Sequence, residues 1–159
     1  MSNKNNSEAK TQESDSPDKV AIERKLPLSA IDIESQKDME AGRYHSLRSV
    51  HTWFAARPTP ACRLSILGSI LPAAVDDDEL LKLMQIGPKQ LQSGRAEYVE
   101  KKFTEPKGSG GLDDHYGYPN PNTQSPTNSE LEQLYEQVTE AWGGKLPTVL
   151  DPTAGRGII

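Results

Sequence analysis

Residues 129–142, SELEQLYEQVTEAW, carry the clearest alternation of apolar and polar positions in the chain. The apolar residues recur at helical spacing, which predicts an amphipathic helix with one buried face. They are Leu131, Leu134, Val138 and Trp142, with Tyr135 and Ala141 beside them. Ser129 and Glu132 have the spacing of a capping box, and Gly143-Gly144 is expected to end the helix.

Three earlier segments are also predicted to be helical. Residues 57–71, RPTPACRLSILGSIL, offer Pro58 or Pro60 for the first turn and an apolar face wide enough for a buried helix. Residues 76–86, DDDELLKLMQI, place their acids at a helix N-terminus, and Gly87-Pro88 is expected to end that helix. Residues 89–103 are expected to be helical too, with Gly94 as a weak point.

The remaining segments divide the chain. Residues 1–21 contain almost nothing to bury and are expected to form a disordered tail. Residues 22–103 are expected to form a mostly helical region, in which the alternation of residues 22–39 is interpreted as a short strand followed by a helix. Residues 104–128 hold four prolines and four glycines and are expected to form a flexible loop.

Residues 145–151, KLPTVLD, are interpreted as a short buried strand that follows the helix of residues 129–142. Helix, strand and glycine-rich turn, in that order, are typical of the entry to a parallel α/β sheet. The predicted fold class is therefore α/β: a helical N-terminal region that leads into the first strand of an incomplete Rossmann-like domain at residues 129–159.

Composition narrows the function classes. The hydrophobic content of 34% and the mean hydropathy of -0.69 are low for a self-sufficient globular domain, and a net charge of -5 does not by itself favour nucleic-acid binding. The single cysteine, Cys62, excludes an internal disulfide. No run approaches the roughly 20 apolar residues that cross a bilayer, and the first 20 residues lack a signal-peptide core. We expect a cytoplasmic protein with no membrane partner.

The stretch VLDPTAGRG, residues 149–157, has the properties of a cofactor site. Gly155 and Gly157 permit a tight turn and leave no Cβ to obstruct a ligand, and the N–H groups of a following helix would face an anionic group. A strand-to-helix turn without any ligand is the alternative. The third glycine of a dinucleotide fingerprint would fall beyond residue 159, and the Lys-Ser/Thr pair of a P-loop does not occur in the stretch.

A local basic region interrupts this acidic chain, because no Asp or Glu occurs between Gly42 and Val75. Arginines and aromatic residues interleave there, a pattern that suits contact with nucleic acid. The arginines are Arg43, Arg48, Arg57 and Arg63, and the aromatic residues are Tyr44, Trp53 and Phe54. The alternative is that these residues have structural roles. His45, His51 and Cys62 lack the close pairing of zinc ligands, so no metal site is expected.

Two motifs in this sequence resemble those of one enzyme family. D-P-T-A-G-R-G, from Asp151, resembles the D-P-F-x-G-x-G motif of S-adenosylmethionine-dependent amino-methyltransferases, with Thr153 in place of the usual Phe. H-T-W-F-A-A-R-P-T-P-A-C-R, residues 51–63, resembles the H-x-W-W-A-R-R-P-x-x-A-x-R signature of a domain of unknown function. That domain lies at the N-terminus of prokaryotic adenine-specific DNA methylases, some of which contain a zinc ribbon, and the two motifs occur there in the same order.

The resemblance implies S-adenosylmethionine as the cofactor, DNA as the partner, and two sets of site residues. S-adenosylmethionine would be held by Asp151, Pro152, Thr153, Ala154, Gly155 and Gly157. The signature residues are His51, Trp53, Arg57, Pro58 and Arg63, for which contact with the DNA strand and support of the cofactor pocket both remain open. No catalytic residue is assigned.

The family's catalytic [DNS]-P-P-[YFW] motif does not occur in this sequence. Y-P-N-P-N, residues 118–122, echoes it without consecutive prolines. We therefore expect the N-terminal piece of a methyltransferase that is inactive alone, or one half of a split enzyme that a second polypeptide completes. A non-enzymatic nucleic-acid-binding or regulatory module is the alternative.

Overall fold

The computed structural model describes residues 17–41 and 58–150, and these ranges fold into a set of packed helices. Six α-helices follow one another along the described ranges. They are α1 (Leu28–Ala41), α2 (Thr59–Ile70), α3 (Asp77–Leu83), α4 (Arg95–Thr104), α5 (Leu112–Tyr116) and α6 (Asn128–Ala141). Two 3₁₀ turns, Ala21–Glu23 and Pro121–Thr123, complete the regular structure there.

The predicted α/β fold with a Rossmann-like first strand is wrong for the part of the chain that the structure describes, which contains no β-strand and no sheet. Residues 146–150, expected to be a buried strand, have no regular secondary structure, and Leu150 is 83% exposed. A strand needs hydrogen bonds to a neighbouring strand, and none of the described segments pairs with this one. The pairing nearest to a sheet is an isolated antiparallel bridge between Val20 and Pro72.

The strand expected within residues 22–39 is absent as well. The first 3₁₀ turn occupies its beginning, and α1 starts directly after Pro27. Ile31 and Ile33, which suggested strand alternation, are both buried on α1 because this helix lies centrally and packs against α2 and α4. A helix that is covered on more than one side mimics an alternating pattern when its apolar face is this wide.

The four segments predicted to be helical all contain a helix, with altered starts in two cases. The helix expected at residues 89–103 begins only at Arg95, because Gly94 has a left-handed backbone with φ of 76° and ends the preceding loop. The Asp78 carboxylate accepts hydrogen bonds from the backbone N–H groups of Gly94 and Arg95, at 2.9 and 2.8 Å, and thereby caps α4.

The last helix, α6, is capped one half-turn earlier than the sequence pattern indicated. Thr127 and Glu130 form the capping box, whereas Ser129 and Glu132 had been expected to do so. Both pairs satisfy the same rule of a hydroxyl followed three residues later by Glu, and the earlier pair starts the helix as soon as Pro126 allows. Gly143 and Gly144 end the helix with φ of 61° and 88°, as predicted.

The core forms where α1 packs against α2 and α4 and where α3 packs against α4. Its apolar members are buried residues from every helix except α2 and from the turns between them. They are Ala21, Ala30, Ile31, Ile33, Leu71, Val75, Leu80, Leu81, Met84, Ile86, Val99, Tyr116, Tyr118 and Val138. Leu64, Leu67 and Ile70 of α2 pack against this cluster while remaining partly exposed, so α2 covers the core instead of being enclosed by it.

Residues 104–128, expected to be a flexible loop, contain α5 and the second 3₁₀ turn. Tyr116, Tyr118, Asn120 and Pro121 are buried there, and the two tyrosine rings lie against Lys37 of α1. This proline- and glycine-rich segment therefore contributes side chains to the core. Among the described helices, none has the length and apolar character to cross a membrane.

Candidate functional site: a basic cleft

A cleft of about 40 Å³ opens where α3, α4 and α6 meet the segment that follows α5. This volume holds a few water molecules and is far below the several hundred Å³ of an enclosed small-molecule pocket. The lining residues are Lys82, Gln85, Gly87, Lys89, Arg95, Tyr118, Pro119, Gln124 and Glu130. Three of these side chains are cationic and one is a carboxylate, so the cleft is basic although the chain carries a net charge of -5.

Arg95 forms the floor of the cleft and is almost completely buried. Its guanidinium donates hydrogen bonds to the carbonyl oxygens of Ile86 and Leu91, both at 2.8 Å. Burial lowers the pKa of Arg95 from its usual value, and the nearby carboxylate of Asp78 opposes this effect. Because the guanidinium fork is occupied by main-chain oxygens, Arg95 fixes the shape of the turn after α3.

Arg63, a signature residue on α2, also binds main-chain carbonyls near the cleft. Its guanidinium donates to the carbonyl oxygens of Met84 and Gln124, at 2.9 and 3.0 Å. Burial lowers the pKa of Arg63, and Asp38 partly opposes the shift. Gln124 lines the cleft and Met84 precedes Gln85, so Arg63 supports the cleft from behind.

Pro58, the signature residue where the described chain resumes, precedes the first turn of α2 and has no side-chain oxygen to cap it. The cap comes from α1 instead, since the Asp38 carboxylate accepts a hydrogen bond of 2.9 Å from the backbone N–H of Thr59. The other Asp38 oxygen accepts a hydrogen bond from the Asn122 side chain. Asp38 therefore joins α1, the start of α2 and the second 3₁₀ turn.

The turn between α3 and α4 is held in an unusual backbone conformation. Gln85 has φ of 61°, in the left-handed region where glycine or asparagine is usual at the end of a helix. The backbone N–H groups of Gln85 and Ile86 bond to the carbonyls of Lys82 and Leu81, the pattern of a Schellman motif. Gly87 is also left-handed, and a Cβ added there would lie 3.1 Å from the Arg95 guanidinium. The two Schellman hydrogen bonds and the close approach of Arg95 to Gly87 therefore restrict the conformation of this turn.

Glu130 is the anionic group of the cleft. Its Oε2 accepts hydrogen bonds from the backbone N–H and the hydroxyl of Thr127, at 2.7 and 2.9 Å. The backbone hydrogen bond is the main reason that the pKa of Glu130 is lowered, and the positive charges of Lys89 and Lys82 lower it further. The surroundings of this carboxylate thus stabilise negative charge.

Tyr118 connects the cleft to a buried group of charges, which we name the Lys37 cluster: Glu34, Lys37, Tyr116 and Tyr118. The Lys37 ammonium lies 3.2 Å from a carboxylate oxygen of Glu34 and about equally far above two tyrosine rings, 4.2 Å from the Tyr116 centroid and 4.1 Å from that of Tyr118. The Tyr118 hydroxyl donates to the other oxygen of Glu34. Glu34 and Lys37 are 0% and 2% exposed.

Desolvation dominates the electrostatics of the Lys37 cluster. Burial raises the pKa of Glu34 and lowers that of Lys37, while the attraction between the two groups opposes both shifts. Burial and the adjacent Glu34 carboxylate raise the pKa of Tyr118. Lys37, Glu34 and Tyr118 pair with one another and are buried, although Glu34 Oε2 accepts no hydrogen bond from the described residues. The cluster therefore packs α1 against residues 116–118.

The remaining residues of the two predicted sites lie outside the described ranges. They are His51, Trp53 and Arg57 of the signature and Asp151, Pro152, Thr153, Ala154, Gly155 and Gly157 of the cofactor motif. The structure thus brings Arg63 close to the cleft, places Pro58 at the start of α2, and leaves the other assignments as predictions. In the described ranges, no three His, Cys, Asp or Glu side chains are arranged to hold a metal ion.

Sequence reasoning did not identify Lys82, Lys89 or Glu130. The acids of residues 76–79 indicated the start of α3, whereas Lys82 near its end was given no role. One usable signal was present: T-N-S-E, residues 127–130, is a capping box that places Glu130 at a helix start.

Comparison with known proteins gives one match. The model of a family described as a protein of unknown function, DUF1156, matches residues 25–97, a little under half of the chain. No curated protein and no solved structure matches. The matched range contains α1, α2, α3 and the cleft residues up to Arg95, so the basic half of the cleft lies within the region that resembles this family.

Proposed function

We propose that this chain is the N-terminal part of an S-adenosylmethionine-dependent DNA amino-methyltransferase of the adenine-specific type, inactive by itself. One observation carries the proposal: an exposed apolar segment lies directly between α6 and the cofactor motif that begins at Asp151. Leu146, Val149 and Leu150 are 55%, 49% and 83% exposed. Apolar side chains concentrated in this way usually mark a contact surface. A catalytic part of the same enzyme is the partner that the adjoining motif suggests.

The proposal gives the chain's residues two tasks. Asp151 and the glycines Gly155 and Gly157 bind S-adenosylmethionine, which supplies the methyl group when bound; the support for this is the sequence motif. His51, Trp53 and Arg57 contact DNA or support the cofactor pocket. Arg63 supports the cleft, because its guanidinium is already bonded to two main-chain carbonyls. An enzyme that methylates DNA and carries one cysteine fits a cytoplasmic location.

A catalytic part carrying D-P-P-[YFW] would cover this exposed segment, and in the split form of the enzyme a second polypeptide supplies that part. The test is methyl transfer from radiolabelled S-adenosylmethionine to DNA. The chain alone, the neighbouring gene product alone and the two together are compared. Only the mixture is expected to be active, and Gly155→Val is expected to abolish activity while Gly108→Ala, at an open loop position, leaves it unchanged.

A non-enzymatic nucleic-acid-binding module is the second candidate, favoured by the excess of positive charge in the cleft. DNA binding without any binding of S-adenosylmethionine, measured by calorimetry on the full chain and on the mixture, would support the module and contradict the methyltransferase.

A further inference from the structure

We propose that the cleft binds the phosphodiester backbone of nucleic acid. Lys82 and Lys89 contact the phosphates, and the Glu130 carboxylate competes with the phosphates for these two ammonium groups. This inference rests on the proposed function for its choice of partner, and it assigns that partner to residues outside both sequence motifs. Four features of the described residues carry it.

The first feature is the contrast between the cleft and the rest of the chain. The protein carries 23 acidic and 18 basic residues, so its average surface repels a polyanion. Three cations and one carboxylate meet in the cleft. A local positive potential on an acidic protein orients an approaching polyanion toward that face.

The second feature is the availability of the two lysines. Lys82 and Lys89 are exposed and neither forms an ion pair within 4.0 Å with any other residue of the described ranges. Arg95, by contrast, has its guanidinium bonded to main-chain oxygens. The two ammonium groups are therefore the charges that an incoming phosphate can recruit.

The third feature is preorganisation. Lys82 lies in the last turn of α3 and Lys89 follows two left-handed positions, Gln85 and Gly87, in a turn that Arg95 fastens by two hydrogen bonds. Because the backbone between the lysines is fixed before binding, only their side chains lose freedom when a phosphate is bound.

The fourth feature is the size of the cleft, together with the Glu130 carboxylate that lies in it. About 40 Å³ admits phosphate oxygens but not an extruded base, so the contact is with the backbone and independent of sequence. Glu130 already places a carboxylate among these cations, which lower its pKa. A site of this size gains affinity from an extended polyanion, which makes further contacts outside it, more than from a small phosphate compound.

The test is fluorescence anisotropy of a labelled 20-base-pair duplex with the full-length chain over a range of salt concentrations. The double variant Lys82→Gln/Lys89→Gln is compared with Lys25→Gln/Lys101→Gln, which removes the same charge from exposed positions outside the cleft. The cleft variant is expected to reduce the slope of log affinity against log salt by about 2, one unit for each lost phosphate contact. The control is expected to keep the wild-type slope.

A third variant tests the role assigned to the carboxylate. Glu130→Gln preserves a side chain that suits a capping box and removes the competing charge, so affinity is expected to rise by about 2- to 5-fold, the effect of one exposed charge pair. Circular dichroism verifies that each variant is folded. Equal slope losses in both double variants, unchanged affinity in Glu130→Gln, or no DNA binding by the wild type would each overturn the inference.

Failure of this inference is distinguishable from failure of the proposed function. Methyl transfer by a complemented enzyme whose DNA binding ignores Lys82 and Lys89 would overturn the cleft alone. Binding that depends on both lysines, in a protein that never binds S-adenosylmethionine, would support the cleft and contradict the methyltransferase.

Discussion

The Lys37 cluster and the basic cleft contain similar groups, lysine beside glutamate and tyrosine, in opposite environments. Lys37 is closed between Glu34 and two tyrosine rings, whereas Lys82 and Lys89 are open to solvent beside a carboxylate that Thr127 already holds. Charges that have been desolvated and paired stabilise one geometry and take no further part in binding. The comparison shows that position within the fold, and not residue type, separates structural charges from those available to a ligand.

Removal of the buried cation, Lys37, is expected to have the largest effect on stability. Lys37→Met is expected to lower the free energy of unfolding by about 3–5 kcal/mol, because it leaves the Glu34 carboxylate buried without its partner. Urea denaturation followed by circular dichroism measures the effect. Lys101→Met, at an exposed position of α4, is the control and is expected to cost about 0.5 kcal/mol or less.

Neutralising both members of the pair separates the charge effect from simple loss of packing. The double variant Glu34→Gln/Lys37→Met is expected to recover much of the stability that Lys37→Met loses, since no uncompensated charge remains. A Lys37→Met variant as stable as Lys101→Met would show that the cluster is not the structural element described.

Arg95 and Arg63, each of which binds two main-chain carbonyls, are expected to have the next largest effect on stability. Arg95→Met is expected to cost about 2–4 kcal/mol, because the carbonyls of Ile86 and Leu91 lose their donors in a buried site. Arg63→Met, half-buried, is expected to cost about 1–2 kcal/mol, and Arg63→Lys to restore little because an ammonium cannot span both carbonyls. Thermal unfolding and DNA-binding assays on the same samples show whether Arg63 acts on stability or on DNA binding. Unchanged stability with lost DNA affinity would make Arg63 a contact residue.

The turn between the lysines gives two substitutions of opposite sign. Gly87→Ala is expected to destabilise the fold by about 1–2 kcal/mol, because φ of 85° is strained for alanine and its Cβ meets the Arg95 guanidinium. Gln85→Gly is expected to stabilise it by about 0.5–1 kcal/mol, because glycine adopts the left-handed conformation without strain. Chemical denaturation measures both, and a stabilising Gly87→Ala would contradict the assigned geometry.

The smallest expected effect concerns pH and the cap of α6. The folded state lowers the pKa of Glu130 below its ordinary value of 4.5, so its stabilising contribution is complete above that value and is lost as the pH falls through the lowered pKa. Glu130→Gln is expected to remove this part of the pH dependence and to change stability at pH 7 by about 1 kcal/mol or less. Melting temperatures between pH 7 and pH 3 provide the measurement, with Glu132→Gln on the same helix as the control.

The helices could be predicted from the sequence because their determinants are local. The apolar stripe of α6, the acids before α3 and the glycines after α6 act within a few residues of the structure they specify. The strand at residues 145–151 could not be decided in that way, because a strand exists only with a neighbour. The capping box of α6 was ambiguous for a different reason, since Thr127 and Ser129 both satisfy the local rule.

The cleft was beyond prediction because its parts are distant in sequence. Lys82, Arg95 and Glu130 come from three helices, and Gln124 from a segment whose composition suggested a loop. In the sequence, Glu34 and Lys37 have the spacing of an ordinary surface pair on one helix, and only the packing of Tyr116 and Tyr118 over them makes the pair buried. Of the predicted signature, the structure locates Pro58 and Arg63, and it gives Arg63 a supporting role that a motif cannot specify.

Trp142 at the end of α6 gives the protein an optical reporter of its own. Its indole N–H donates a hydrogen bond of 2.7 Å to the carbonyl of Ile70, which fastens the end of α6 to the end of α2. Indole emission shifts when such a bond is exchanged for water, so the fluorescence spectrum records whether the two helix ends remain together. The chain contains one other tryptophan, Trp53. Trp53→Phe would make Trp142 the sole emitter, and its spectrum would then follow any rearrangement near the exposed apolar segment when a partner is added.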